Sequence, residues 1–285
     1  MSALYPPHCL PAWWQHLIGP AVESWHRRTR PMAACPFVLL SWGRSGSTLL
    51  QRLLDQLPDV RCFGELLHNH QQQFPAAFGR PPYSLSHPSV SRARPAAAID
   101  AILRLPSPRG ILGWKLLIHQ NDPCWDEVIR RPHVRKLVLV RENRLRQYLS
   151  LQLARTTSVW QVQDRREQEI YQSLKPGPLP VDADDFLATA ARWEAEDRAL
   201  QEALRQSGAP WLRVTYRDLP PPRRQETLGR IAAFLGASPS APPQDDPVVR
   251  ANPEPWETLV AHPEGLRRRL AATPCAWMLD DAPGG

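Results

Sequence analysis

The chain has 285 residues, 42% of them hydrophobic, which is sufficient for one or two domains with a buried core. Its 35 lysines and arginines exceed its 28 aspartates and glutamates to give a net charge of +7, but the basic residues form only short clusters without a nucleic-acid-binding pattern, so we expect no nucleic-acid partner. No apolar run is long enough to span a membrane and no signal peptide is visible, so we expect a cytoplasmic protein with no transmembrane segment. The five cysteines include no CxxC pair, so we expect neither a disulfide framework nor a metal site.

The first 35 residues form a tryptophan-rich segment. Apolar residues recur at helical spacing between Trp13 and Trp25, which predicts one amphipathic helix. We expect this helix to pack on the main domain, and a partner-binding or substrate-lid role is the alternative. Residues 36–285 are expected to form a single α/β domain.

Strand and helix patterns alternate through that domain. Short apolar runs predict β-strands at residues 37–41, 60–63, 111–118, 136–141 and 210–216. Helical spacing predicts helices at residues 49–57, 95–105, 143–159, 184–204 and 222–235. Asn143 is the expected N-cap of the third helix, and Asp184 or Asp185 that of the fourth, whereas the proline-rich tail after residue 237 is expected to be mostly irregular. The alternation predicts an α/β fold with a mainly parallel sheet flanked by helices on both faces.

The turn after the first strand predicts an anion-binding site. It reads Trp-Gly-Arg-Ser-Gly-Ser-Thr over residues 42–48 and leads directly into a helix. A glycine-rich turn at a helix N-terminus presents free backbone N–H groups, to which Ser47 and Thr48 add hydroxyls and Arg44 adds a positive charge. The turn does not fit the Walker A pattern, because Ser47 stands where that pattern has lysine. A magnesium-dependent kinase is therefore disfavoured, and a structural turn without ligand remains the alternative.

Two stretches of the sequence resemble the cofactor-binding segments of the sulfotransferase superfamily. The stretch "SWGRSGSTLLQRLL", followed by "FGE", resembles the loop that binds the 5′-phosphosulfate of 3′-phosphoadenosine 5′-phosphosulfate (PAPS). The stretch "LVRENRLRQYLSLQLARTTSVW" resembles the segment that binds the 3′-phosphate. The nearest likeness is to the bacterial carbohydrate and lipopolysaccharide sulfotransferases, including the nodulation-factor and trehalose types.

Later segments extend the resemblance over residues 36–265. The stretches "LRVTYRDL" and "IAAFLGA" resemble a later strand and helix of the family, and "VRANPEPWETLV" resembles its closing loop near the cofactor. The resemblance implies a P-loop-NTPase-like α/β domain that binds PAPS and releases PAP.

The resemblance also implies which residues bind the cofactor. They are Arg44, Ser45, Gly46, Ser47 and Thr48 in the loop, with Arg141, Ser150 and Arg250 at the 3′-phosphate. The sequence departs from the family at two points. Arg141 precedes Ser150 by nine residues where many members have eight, and the eight-residue position holds Glu142. Arg44 stands where the cytosolic branch has lysine, so it supplies charge and forked donors but no transferable proton.

Glu65, at the end of the second strand, is the candidate general base, because it matches the glutamate presumed to act in the trehalose-type relatives. Arg44 is expected to assist by neutralising charge on the leaving phosphate. His68, His70 and His119 are alternative bases, since histidine is the commonest one. Two further residues are candidates for the site. Lys115 matches the family's G-x-K segment, which implies a place in the active site. Trp160 is expected to stack on adenine, line the acceptor pocket or pack in the core.

The resulting functional expectation is a PAPS-dependent sulfotransferase. It would transfer a sulfuryl group to a hydroxyl of a carbohydrate, a glycolipid or another small metabolite, with residues 66–110 and 160–182 as acceptor walls, and it could act as a homodimer. Two alternatives remain open: a P-loop nucleotide-dependent kinase, and a non-catalytic protein that binds PAP or another anion. A magnesium requirement would favour the kinase, and PAP binding without turnover would favour the binding protein.

Overall fold

A computed structural model describes residue 21 and residues 35–68, 81–105, 107, 109–162, 164–238 and 250–280. Apart from residue 21, the helix expected between Trp13 and Trp25 lies outside the described residues. In the described part of the chain, no helix is both long and apolar enough to cross a membrane.

The core of the fold is a five-stranded parallel sheet. Its strands are β1 Cys35–Ser41, β2 Val60–Phe63, β3 Ile111–Leu117, β4 Arg135–Val140 and β5 Trp211–Thr215, in the order β2-β3-β1-β4-β5. All five predicted strands are therefore confirmed, with bounds that shift by one or two residues. The carboxyl ends of β1 and its two neighbours, β3 and β4, meet at one edge of the sheet, which is where ligands bind in open α/β folds.

Both faces of the sheet are buried, as the continuous apolar runs predict. Along β1, Phe37 and Leu39 pack into one cluster and Val38 and Leu40 into the other, and all four are fully buried. The predicted α/β class, with helices on both faces, is confirmed.

Helices cover the two clusters. In the described residues the α-helices are α1 Ser47–Asp55, α2 Pro88–Ala93, α3 Pro95–Leu103, α4 Asp122–Ile129, α5 Arg144–Thr157, α6 Arg165–Leu174, α7 Ala183–Ser207, α8 Arg224–Leu235 and α9 Pro263–Ala271. One face of the sheet is covered by α1 and α8, and the other mainly by α3, α4, α5 and α7. Short 3-10 turns lie at Tyr83–Leu85, Tyr216–Asp218, Trp256–Leu259 and Ala276–Leu279.

One of the two predicted helix caps is correct and the other is wrong. The Asn143 side chain accepts a hydrogen bond from the backbone N–H of Arg146 and caps α5, as expected. α7, however, begins after Asp182 rather than at Asp184 or Asp185. The Asp182 carboxylate accepts from the N–H groups of both later aspartates, which therefore lie in the first turn, where their charge favours the helix dipole.

The described part of the tail contains helical segments that the sequence did not predict. The tail contains α9, whose Leu266 and Leu270 are buried, and two 3-10 turns. Pro263 lies in the first turn of α9, where a missing N–H has no cost, so it starts a helix rather than breaking one.

A buried lysine in β4 gives a test of the core. Lys136 is fully buried and its ammonium donates to the carbonyl of Arg131 at 2.6 Å. Burial lowers the pKa of Lys136 from 10.5 to about 8. The folded state therefore binds the proton of Lys136 less tightly than the unfolded chain does. Burying the charged ammonium lowers the free energy of unfolding by its full amount below about pH 8, and this loss of stability disappears as the pH rises from about 8 to 10.5.

We expect Lys136→Met to raise the free energy of unfolding at pH 7 by roughly 3 kcal/mol, since the pKa falls from 10.5 to about 8 and each pKa unit corresponds to about 1.4 kcal/mol. Denaturant unfolding at pH 7 and pH 10 would measure the gain, which should shrink at the higher pH. A gain that is independent of pH, or a loss of stability at pH 7, would show that desolvation of the ammonium is not the dominant effect.

Candidate active site

The loop between β1 and α1 is held in a fixed shape by its neighbours. The Ser45 hydroxyl donates to the carbonyl of Trp42 at 2.8 Å, and the Gln147 amide on α5 donates to the carbonyl of Gly43 at 2.8 Å. Arg44 and Gly46 both have positive φ, 64° and 91°. This path turns the chain into α1, whose first N–H groups have no helical carbonyl to bind and are directed at the cleft.

Only glycine fits at position 46. A Cβ atom there would lie 2.4 Å from the ring of Tyr216, and the φ of 91° is a conformation that other residues rarely adopt. Tyr216 directly follows β5, so the loop after β1 packs closely against the residue that follows the edge strand.

The loop forms one wall of a cleft that collects positive charge. Its lining residues include four arginines, Arg44, Arg141, Arg146 and Arg250, and the hydroxyl residues Ser47, Thr48 and Ser150. The structure thus brings together the predicted cofactor residues Arg44, Gly46, Ser47, Thr48, Arg141, Ser150 and Arg250. Ser45 is not among the lining residues, because its side chain is buried and bonded inside the loop. Such a cleft is suited to a ligand with more than one anionic group.

Arg44 links the loop to the opposite wall. Its Nε donates to the Ser150 hydroxyl at 2.9 Å, and its terminal nitrogen donates to the carbonyl of Trp160. Burial lowers the pKa of Arg44 from its ordinary value, while nearby Tyr171 and Tyr216 oppose that change. A guanidinium remains charged at neutral pH all the same, so Arg44 adds a fixed positive charge to the cleft lining.

Arg141 lies where β4 ends, as predicted. It donates to the carbonyl of Arg44 at 3.5 Å, and its guanidinium stacks over the ring of Tyr216 at 4.5 Å from the ring centre. Glu142, the residue at the eight-residue spacing, lies 3.9 Å from Arg217 and is not part of the cleft lining. The geometry therefore favours Arg141 as the partner of Ser150.

Arg146 was not among the residues predicted to bind the cofactor. It is buried, lines the cleft and donates to the carbonyl of Glu254 at 2.7 Å. Its spacing of four residues from Ser150 places both on one face of α5, and this signal could have identified it from the sequence.

A buried ion pair lies next to the loop. The Lys115 ammonium on β3 is 2.8 Å from one carboxylate oxygen of Glu65, and both side chains are buried. The same ammonium donates to the Thr48 hydroxyl at 3.3 Å. Lys115 therefore connects the first turn of α1 to the candidate base. The G-x-K match had implied a place in the active site but not this pair of contacts.

The pair keeps Glu65 in its charged form. Burial alone would raise the pKa of Glu65, but the charge and hydrogen bond of Lys115, with the amide of Gln120 and the charge of His68, lower it below its ordinary value of 4.5. Gln120 donates to the other carboxylate oxygen and is itself buried. Glu65 is consequently a carboxylate at neutral pH and can accept a proton.

The three alternative bases lie in different surroundings. His68 Nε2 is 3.7 Å from the Glu65 carboxylate. His119 bonds Glu196 at 3.0 Å on the surface, with 65% of its side chain exposed. His70 lies outside the described residues. Among the described histidines, His68 is thus the one in contact with the candidate base.

Trp160 does not pack in the core. It is 52% exposed and lines the cleft beside Arg44. This leaves the two ligand-facing roles that the sequence suggested, stacking on adenine or lining the acceptor pocket.

Comparison with known proteins agrees with the predicted resemblance. A model of the sulfotransferase family matches residues 36–110, the part of the chain that holds the loop, Glu65 and the segment after it. This match supports the predicted resemblance over residues 36–110. The resemblance of residues 111–265, which include the predicted 3′-phosphate segment, stays a prediction. No curated protein sequence matches the chain.

A crystal structure of a sulfotransferase from Alicyclobacillus acidocaldarius is similar at a low level. The two chains share 18% identity with a TM-score of 0.43, over 83% of this chain and 94% of that one. A likeness of this size is too weak to assign a function.

Proposed function

We propose that this chain, whose loop segment matches the sulfotransferase family, transfers a sulfuryl group from PAPS to the hydroxyl of an acceptor and releases PAP. The observation that carries the proposal is a cleft lined by four arginines and a helix N-terminus, whose Thr48 also contacts the buried Lys115–Glu65 pair. Lys115 and Glu65 are not themselves among the cleft-lining residues. The arginines match the two separated anionic groups of PAPS, and the ion pair supplies an ionised carboxylate next to them.

The two anionic groups have separate partners in this proposal. The N–H groups of α1, with Ser47 and Thr48, bind the 5′-phosphosulfate. Arg141 and Ser150 bind the 3′-phosphate, with Arg250 reaching it from the opposite side. Trp160 stacks on the adenine, because its half-exposed ring lies in the same cleft.

The residues then divide the chemistry between them. Glu65 accepts the proton of the acceptor hydroxyl as the new sulfur–oxygen bond forms and the bond from sulfur to the phosphate oxygen breaks. Arg44 neutralises the charge that develops on the leaving phosphate, and Lys115 stabilises the charge on the sulfuryl oxygens near Thr48. Positioning and charge neutralisation supply most of the catalysis, by analogy with phosphoryl transfer, and no proton from Arg44 is required.

The acceptor class remains that expected from the sequence: a carbohydrate, a glycolipid or another small metabolite. The hydroxyl must reach Glu65, which follows β2, while the nucleotide lies on the side of β4 and α5. The two substrates therefore approach the loop from opposite sides of α1. A cytoplasmic location and a homodimer stay predictions.

We expect Arg141→Ala to weaken PAP binding roughly tenfold or more while leaving binding of adenosine 5′-phosphate, which lacks the 3′-phosphate, nearly unchanged. The reason is that a charge-assisted hydrogen bond contributes about 1.5 to 3 kcal/mol. Titration calorimetry with both nucleotides measures the two affinities, and Arg205→Ala, an exposed arginine bonded to Glu202, is the matched control.

Equal weakening of both nucleotides would show that Arg141 acts on the shape of the site rather than on the 3′-phosphate. In that case Arg146 becomes the candidate 3′-phosphate ligand, since Arg144 is buried against the rings of Trp42 and Trp193, away from the cleft lining.

A further inference from the structure

Helix α6 is attached to the segment 250–254, called here the closing segment, by a row of polar side chains. Four hydrogen bonds or ion pairs form the row: Gln168 to the carbonyl of Arg250 at 2.9 Å, Gln172 to the carbonyl of Ala251 at 3.3 Å, Tyr171 to the Asn252 side chain at 2.9 Å, and Lys175 to the Glu254 carboxylate at 2.7 Å. The three residues of α6 and its C-cap residue Lys175 thus each bind a different residue of the closing segment.

The spacing of these residues shows that one face of α6 is dedicated to this contact. Tyr171 and Gln172 follow Gln168 by three and four residues and so lie on the same side of the helix as Gln168, and Lys175 follows as the C-cap residue. Within α6 only Tyr171 is buried, whereas Ile170 and Leu174 are more than half exposed. The helix is therefore held by polar bonds to the closing segment more than by an apolar core.

The closing segment in turn forms part of the cleft. Arg250 and Asn252 are among the cleft-lining residues, and Arg146 of α5 holds the other end of the segment through the Glu254 carbonyl. The position of Arg250 at the cleft thus depends on two hydrogen bonds: the one that Gln168 donates to the Arg250 carbonyl, and the one that Tyr171 donates to the Asn252 side chain.

We propose that α6 is the positioning element for 3′-phosphate recognition, in which Gln168 and Tyr171 hold Arg250 at the cleft without touching the nucleotide themselves. They therefore set the preference of the site for PAP over adenosine 5′-phosphate. This inference rests on the proposed function, because it takes the 3′-phosphate of PAP as the ligand of Arg250.

The test uses two variants with matched controls. Gln168→Ala and Tyr171→Phe each remove one hydrogen bond to the closing segment. Tyr171→Phe keeps the buried ring and removes only the hydroxyl. Gln206→Ala and Tyr148→Phe remove comparable bonds, to Glu202 on α7 and to Asp185, away from the cleft.

We expect each test variant to weaken PAP binding about fivefold and adenosine 5′-phosphate binding less than twofold, since one neutral hydrogen bond is lost in each. The controls should leave both affinities unchanged. In an Arg250→Ala background, Gln168→Ala should cause no further loss, because its effect passes through Arg250.

The outcomes separate the inference from the function on which it rests. If the wild-type chain does not bind PAP, the proposed function fails and the inference fails with it. If the wild-type chain binds PAP but the test variants weaken both nucleotides equally, or neither, the positioning role of α6 is overturned while the proposed function stands. A full further loss in the Arg250→Ala background would also overturn it.

Discussion

Replacing Glu65 by glutamine is expected to lower turnover by about 10² to 10⁴-fold with little change in PAP affinity, since that is the usual loss when a general base is removed. Glutamine keeps the size of the side chain but cannot accept the acceptor proton. The rate of PAP formation from PAPS, with an acceptor that supports wild-type turnover, measures the effect. Glu127→Gln is the matched control, because Glu127 lies on α4 and is ion-paired with Arg131.

The pH dependence of the rate gives a second sign of the same role. The pKa of Glu65 is lowered, so the carboxylate stays ionised until the pH falls below the ordinary value of 4.5. Wild-type turnover should therefore hold from neutral pH down past that value, and Glu65→Gln should lack this acidic limb. Because the folded pKa is depressed, the stability that Glu65 contributes is present above its unfolded pKa and is lost in the same acidic range.

A Glu65→Gln enzyme with near-wild-type turnover would place the base elsewhere. His68 would then be tested first, since it lies 3.7 Å from the carboxylate. A folded His68→Asn variant without activity, beside an active Glu65→Gln variant, would assign the proton transfer to the histidine. Loss of the fold in Glu65→Gln would instead show that the buried charge of Lys115 requires its partner.

Replacing Arg44 by alanine is expected to lower turnover by about 10² to 10³-fold and PAPS affinity much less, because the charge that Arg44 neutralises on the leaving phosphate is not yet developed in bound PAPS. Arg44→Lys should retain part of the activity, since the charge remains while the fork-shaped pair of donors to Ser150 and the Trp160 carbonyl is lost. Steady-state turnover and PAPS titration in the absence of acceptor, on the same preparations, separate the two effects. Unchanged turnover in Arg44→Ala, or equal losses in turnover and affinity, would contradict this role.

The sequence predicted the sheet and the loop well because both depend on local patterns. Each strand is an apolar run of ordinary length, and the residues 42–48 combine glycine, hydroxyl and arginine next to a helix start. Arg141 and Ser150 were identified through the resemblance of their segment to the family's 3′-phosphate segment, and their role at the 3′-phosphate stays a prediction. The division of the chain at residue 36 stays a prediction.

Features that depend on distant contacts could not be predicted in this way. Lys115 is 50 residues from Glu65 and 67 from Thr48, and only the pairing of β3 with both β1 and β2 brings the three together. Helix α6 was missed because it has few apolar residues, and its position depends on bonds to residues about 80 positions later. The N-cap of α7 was misplaced because Asp182, Asp184 and Asp185 are all suitable N-cap residues and the sequence does not distinguish them.

Thermal unfolding with PAP, compared with ATP and magnesium, tests the central claim most directly. At about 100 times its dissociation constant a ligand adds about 2.7 kcal/mol to the stability, which corresponds to a rise of about 5 °C or more in Tm for a chain of this size. A site built for PAPS predicts that rise with PAP, and a much smaller one with ATP whether or not magnesium is present. Stabilisation by ATP that requires magnesium, with no response to PAP, would contradict the account and favour a kinase.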